Sequence, residues 1–138
     1  MVLSLQERSQ YFKGLLILMR KDRKIDEVER KFLIKIGKLL GFEKKFCERA
    51  ISDLLENVYL IDDIPKFSRK EFAESFILDG LSLAVSDMEL NPDEINFLKA
   101  TIKENNLSES WFSKNLEDLI KKKEINNSNI TLSVEQYL

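Results

Sequence analysis

A chain of 138 residues is the length of one domain, and its 43% apolar and 33% charged residues suit a globular fold with a sizeable core. The net charge of −2 gives no global basis for nucleic-acid binding. The absence of histidine removes the usual zinc ligand and general base, and the single cysteine, Cys47, excludes an internal disulfide or a CxxC metal site.

The longest apolar run, Gly14 to Met19, is too short to cross a bilayer, so no transmembrane segment is expected. Met1 to Arg8 lacks the basic-then-apolar order of a signal peptide. A reducing, cytoplasmic setting is the expectation.

Ser4-Leu5-Gln6-Glu7 reads as a capping box, with Ser4 as N-cap and Glu7 at the third helical position. The first helix then runs from about Leu5 to Lys21. Tyr11, Phe12, Leu15, Leu16, Leu18 and Met19 make it apolar on more than one side, as a central helix must be. A second helix, Glu27 to Leu40, carries Val28, Phe32, Leu33, Ile36, Leu39 and Leu40 at helical spacing, and Gly41 is placed to end it in a left-handed conformation. A third, Glu43 to Glu56, presents Phe46, Cys47, Ala50, Ile51, Leu54, Leu55 and Val58 as its inward face. Cys47 on that face reads as core filler.

Asn57 to Phe67, with Asp62-Asp63-Ile64-Pro65, is a linker, because proline biases its predecessor away from helix. Its aliphatic Leu60, Ile61 and Ile64 predict that it packs along the surface. Ser68-Arg69-Lys70-Glu71 reads as a second capping box, opening a helix to about Ser86 with Phe72, Phe76, Ile77, Leu81, Leu83, Ala84 and Val85 inward and Gly80 allowing close approach. Pro92 to Asn105 forms a fifth helix, with Asn106 in the place Gly41 holds in the first half. Ser108 caps a sixth, Glu109 to Lys122, on the stripe Phe112, Leu116, Leu119 and Ile120. The tail from residue 123 predicts an irregular segment or a short final helix packed on the domain.

A shift of 65 residues superimposes the two halves without a gap. Leu16 meets Leu81, Asp22 meets Asp87, Glu29 meets Glu94, Phe32 meets Phe97, Leu33 meets Leu98 and Lys38 meets Lys103. Matched polar residues inside a loop have no packing duty to explain them, so duplication is the reading. The expected architecture is therefore all-α: a single compact domain of six to seven helices in two pseudo-repeated three-helix halves. The halves span about 4–57 and 68–122, with the tail at 123–138.

The repeated stretches, Asp22-Arg23-Lys24-Ile25-Asp26-Glu27-Val28-Glu29 and Asp87-Met88-Glu89-Leu90-Asn91-Pro92-Asp93-Glu94, join the first two helices of each half. Asp26 with Glu29, and Asn91 with Glu94, have the spacing of N-cap and third-position pairs, and Pro92 suits the first helical position. Asp22 and Asp87 sit at the ends of helices, where the dipole disfavours a negative charge. They serve either as Asx-turn acceptors or as oxygen ligands for a hard cation. Asp87, Glu89, Asn91 and Glu94 are the better-equipped set. The weaker set, Asp22, Asp26 and Glu29, is crowded by Arg20, Lys21 and Arg23. The EF-hand spacing is not met.

An apolar helix ending in Asp, an aliphatic residue three positions on, and Glu seven positions after the Asp together resemble the TerB-like family, named for the tellurite-resistance protein B. The pattern is also similar to the N-terminal domain of a membrane-anchored DnaJ-type co-chaperone. It covers Leu16 to Leu40 and Leu81 to Asn105, with Arg23 and Met88 standing where the family motif carries Gly. The resemblance implies an all-helical fold, an acidic surface, a role in metal-ion or stress response, and no catalytic activity.

The sequence thus predicts a non-enzymatic binding or adaptor domain whose acidic loops are either purely structural helix starts or, at the second loop, a site for a divalent cation (Ca²⁺, Mg²⁺ or Mn²⁺). The alternative is a metal-free protein-interaction or self-association module. Residues 1–57 hold 13 basic and 9 acidic residues, a balance of +4, and residues 58–138 hold 9 and 15, a balance of −6. Such asymmetry would orient a partner or a second copy.

Overall fold

Two helices that are apolar on several sides must each be covered from several directions, and this requirement shapes the fold. In the computed structural model, residues 2–21, 25–56, 63–85, 91–125 and 132–138 are described. They form six α-helices: α1 (Leu5–Arg20), α2 (Glu27–Leu39), α3 (Lys44–Glu56), α4 (Lys70–Ala84), α5 (Pro92–Glu104) and α6 (Glu109–Ile125). A single 3-10 turn, Ser133–Tyr137, follows. The domain is all-helical and compact, with no strand among the described residues.

The helices start in register with the duplication. Leu5 and Lys70, Glu27 and Pro92, and Lys44 and Glu109 are each 65 residues apart. The packing repeats as well. α1 covers α2 and α3, α4 covers α5 and α6, and α1 and α4 lie against each other. Leu15, Ile17, Leu18 and Met19 of α1 are enclosed together with Phe72, Phe76, Ile77 and Leu81 of α4. At about 1.5–3 kcal/mol for each large side chain removed from water, this pair supplies much of the driving force.

Helix ends repeat with equal fidelity. Gly41 (φ 97°) and Asn106 (φ 55°) both take the left-handed conformation. Around Gly41, the Phe42 amide donates to the Gly37 carbonyl at 2.9 Å and the Gly41 amide to Lys38 at 3.0 Å. Around Asn106, the Leu107 amide donates to Ile102 at 2.9 Å and the Asn106 amide to Lys103 at 3.2 Å. Both ends are Schellman motifs, in which a left-handed residue lets two following amides satisfy the last orphan carbonyls. Asparagine tolerates this conformation better than most residues with a side chain.

Three sequence expectations are corrected. Ser68 does not cap α4. The N-cap is Arg69, which makes no side-chain cap. Ser68 lies one position too early, and its amide (2.9 Å) and hydroxyl (2.5 Å) both donate to Glu7 Oε1, tying the start of α4 to α1. Phe46 does not face inward. It is 52% exposed in the first turn of α3, at the outer end of an aromatic file that runs from Phe12 through Phe42. Val28 in the first turn of α2, Leu39 at its last residue and Ile120 of α6 are exposed as well. Side chains lean toward the N-terminus of their helix, so first-turn residues reach past the neighbouring element.

The linker ends as a packed segment. Asn105 Oδ1 accepts the Phe67 amide at 2.9 Å, while its Nδ2 donates to the carbonyls of Pro65 and Thr101, each at 2.9 Å. Gln10 Oε1 accepts the Lys66 amide at 3.1 Å. Pro65 and Phe67 are buried and Ile64 is partly so. Leu60 and Ile61 lie outside the described residues, as do Leu55's side chain and Val58.

Gly37 marks the closest approach of α1, α2 and α3. A Cβ built there would stand 2.4 Å from Cys47 Sγ and 3.1 Å from the Phe12 ring. Gly37→Ala is therefore expected to cost roughly 1–3 kcal/mol by overpacking, despite the better helix propensity of alanine. The double variant with Cys47→Ala should recover part of that loss. Urea unfolding of the four proteins in the cycle checks this, and additive losses would contradict the proposed clash.

Candidate functional site

The acidic loops divide between described and undescribed residues. Asp22, Asp87 and Glu89 lie outside the described set; Asp26, Glu29, Asn91 and Glu94 lie within it. Asp26 and Glu29 form the capping box that their spacing predicts. Asp26 Oδ1 accepts the Glu29 amide at 2.7 Å, and Glu29 Oε1 accepts the Asp26 amide at 3.3 Å. In the second half Asn91 is the N-cap and Pro92 the first helical residue, as expected. Asn91 Oδ1 accepts the Asp93 amide at 2.8 Å.

Burial separates the members of each loop. Glu29 and Glu94 are only 3% and 2% exposed, whereas Asp26, Glu27 and Asp93 face solvent. Each buried glutamate sits in the first turn of its helix, where the dipole favours a carboxylate. The two halves therefore draw in a glutamate at the same register, beside a rim of exposed acids. The second stretch, 86–95, holds no basic residue. Lys21, which precedes the first stretch, has its Nζ 5.6 Å from the Phe97 ring centroid in α5. Among the described residues, no three His, Cys, Asp or Glu side chains converge as a metal-holding group.

A small cleft of about 110 Å³ lies between α1 and the linker, lined by Gln10, Lys13, Gly14, Asp63, Ile64 and Pro65. Lys13 and Asp63 pair across it at 3.1 Å. Its volume falls well short of the roughly 300–1,000 Å³ typical of small-molecule sites.

A buried polar constellation among the described residues is one that sequence reasoning missed. Asp79 of α4 is 1% exposed. Its Oδ2 accepts the Tyr11 hydroxyl at 2.5 Å and the Val134 amide at 3.0 Å, and its Oδ1 accepts the Ser133 amide at 2.5 Å. Tyr11 Oη also lies 3.0 Å from Ser75 Oγ. No ion pair to Asp79 occurs among the described residues. Burial pushes its pKa up from the ordinary 3.8 to about 6, against the lowering effect of the bonds from Tyr11, Ser133 and Val134. Burial and the neighbouring Asp79 charge hold the Tyr11 phenol well above its usual range.

A signal for this cluster was present in the sequence. Asp79 is the lone charge within Phe76-Ile77-Leu78-Asp79-Gly80-Leu81, and the duplication aligns it with Gly14. A carboxylate inside an apolar run, missing from the other half, marks a place where the halves do different work. The Cys47 thiol is buried as expected for core filler, and burial raises its pKa.

Compared with known family models, curated proteins and solved structures, the chain matches none.

The sign of the Asp79 effect on stability follows from linkage. Below about pH 4 the carboxyl is neutral in both folded and unfolded chains. Between there and pH 6 only the unfolded chain has lost its proton. Above about 6 both are ionised and the fold carries the buried charge. Its stabilising contribution is therefore complete at low pH and lost as pH rises through about 6, a change on the order of 3 kcal/mol. Glu7, whose hydrogen bonds from Ser68 and Ser4 outweigh desolvation and lower its pKa, acts in the opposite direction at lower pH. Urea midpoints of wild type and Asp79→Asn across this range should show wild type losing ground to the variant as pH rises. A constant difference would contradict the assignment.

Proposed function

We propose that the chain is a non-enzymatic, TerB-like binding or adaptor domain whose functional face is the pair of acidic loops, with a divalent cation taken at the second. The observation that carries this reading is the matched burial of Glu29 and Glu94, one in each half, behind a rim of exposed carboxylates. Glu29 Oε1 already accepts the Asp26 amide, so the enclosed carboxylates belong to the helix starts as well as to any bound ion. Their recurrence at the same register favours a shared purpose over two unrelated caps. Asp87, Glu89, Asn91 and Glu94 then supply the oxygen donors that Ca²⁺, Mg²⁺ or Mn²⁺ prefers. The loop around Asp22, Asp26 and Glu29 is the weaker site because Arg23 and Lys24 oppose a cation there. A role in metal-ion or stress response in a reducing, cytoplasmic setting accords with this reading.

Among the described residues, no helix is long and apolar enough to cross a membrane. A second reading, a metal-free protein-interaction or self-association module, draws on one observation. Phe46 stacks on Phe42, with ring centroids 5.2 Å apart, yet stays half exposed on the more basic half of the chain. An exposed aromatic of this kind is a common interface anchor.

Thermal unfolding with added ions tests the preferred reading. At a hundredfold excess over Kd, a bound cation should add about 2.7 kcal/mol and raise Tm by several degrees. Asp87→Ala should abolish the rise. No shift at millimolar ion, or an equal shift in the variant, would refute the cation site. Light scattering of wild type and Phe46→Ser then addresses the second reading, which expects association that the substitution removes.

A further inference from the structure

Segment 132–138 is docked on α4 by few bonds, and two of them end on one carboxylate. The first amides of a helical turn have no partner within the turn. Here the preceding residue, Leu132, has no side-chain acceptor, and Asp79 takes its place from across the fold by receiving the Ser133 and Val134 amides. Among the described residues, the remaining attachments are the Leu3 amide on the Tyr137 carbonyl at 3.2 Å, the Tyr137 ring edge-on to Phe72 at 5.2 Å, and the buried side chains of Leu132 and Val134.

Among the described residues, the groups facing Asp79 are few and none is a cation. α1 presents Tyr11, α4 itself presents Ser75, and the docked segment presents its two amides and the like charge of Glu135, with the Tyr137 phenol near that of Tyr11. From α5 and α6, no hydrogen-bond or ion-pair partner reaches it among the described residues. Docking therefore encloses a negative charge beside a second one, with only dipoles to compensate. Opening would return the carboxylate to water and remove Glu135.

A neutral carboxyl fits the same place. The proton would sit on Oδ2 and be donated to Tyr11 Oη, while the Tyr11 hydroxyl turns to donate to Ser75 Oγ at the distance already present. The Ser133 amide keeps its acceptor, Oδ1, throughout, while the Val134 amide stays against the protonated Oδ2, a weaker acceptor, so closure in the neutral form gains by relief of the buried charge and not by stronger bonds.

We infer that segment 132–138 is a proton-operated strap: it closes firmly over Asp79 when that carboxyl is neutral and loosens when the carboxyl ionises. The pKa of about 6 in the closed form places the transition in the mildly acidic range. Because the closed form holds the proton more tightly than an open, hydrated carboxyl would, linkage makes closure tighten as pH falls.

Hydrogen–deuterium exchange of the full chain, read at Ser133 and Val134 and corrected for intrinsic amide chemistry, tests the strap between about pH 4 and pH 8. Protection at these two amides should fall with rising pH by up to about tenfold per unit through the transition, while amides inside α1 and α5 keep theirs. Glu135→Gln should move the fall to lower pH, and Asp79→Asn should make protection independent of pH. Should Asp79→Asn fail to fold, the carbon-13 titration of Asp79 in the wild-type chain replaces it, and its midpoint should coincide with the loss of protection. Protection that stays constant or rises with pH, a variant that keeps the wild-type profile, or a titration that does not coincide would each overturn the strap.

Discussion

The mutual burial of α1 and α4 is the constraint on which the molecule depends. Each helix is too apolar to leave any long face in water, and neither can be covered by one neighbour. Their contact leaves two outer sides, and each half closes its own side with its own pair of helices. Gly80 makes the central approach possible, since a Cβ there would stand 3.0 Å from Leu18 and 3.1 Å from Leu98. Gly14 does the same at the other register, where the Phe76 ring and Pro65 press against its backbone. Duplication is thus an economical answer to a packing problem, because two copies of one helix cover each other and bring their covers with them.

Polar side chains fasten what apolar burial assembles. Asn105 holds the linker by both ends of its amide, so the passage between halves is fixed at its α4 end. Arg8 donates to the carbonyls of Leu3 and Leu40, closing the end of α2 against α1. Asp79 fastens segment 132–138. In each case one side chain satisfies backbone groups that a non-repetitive segment cannot satisfy alone, which is what a buried turn demands. These fasteners differ between the halves, and they are where the copies have diverged. Gly14 and Asp79 are the clearest instance: at the same position one copy needs the absence of a side chain and the other needs a carboxylate.

The acidic loops and the Asp79 network are different uses of carboxylates. In the loops, glutamate is drawn into the first turn of a helix, where local dipoles favour its charge, and neighbouring acids stay in water. Around Asp79 the charge is enclosed, with the exposed Glu135 as its acidic neighbour. The first arrangement suits recognition of something from solution. The second suits an internal element whose closure depends on protonation. The proposed binding role and the proposed strap therefore act at separate parts of the chain.

Periodic features were legible from the residues alone. Apolar spacing located all six helices, Gly41 and Asn106 declared the matching left-handed ends, and Asp26 with Glu29 declared a capping box that forms as written. Each depends on residues close in sequence, where geometry is set by the helix itself. Of the predicted site, Asn91 and Glu94 were placed correctly as cap and first turn, yet the sequence could not distinguish the buried glutamate from its exposed acidic neighbours. Ser68 satisfies a local spacing rule for a cap, yet its bonds go to Glu7, 61 residues away. Phe46 has inward helical spacing but stays exposed, because spacing gives a side chain's direction and not whether a neighbour stands there. The sequence by itself determined the helices, their ends and their duplication, because those follow from interactions within a few residues. Only the tertiary structure decided which carboxylates are enclosed and that Asp79 meets Tyr11 and segment 132–138, because those contacts span more than 50 residues and exist only once α1 and α4 have packed.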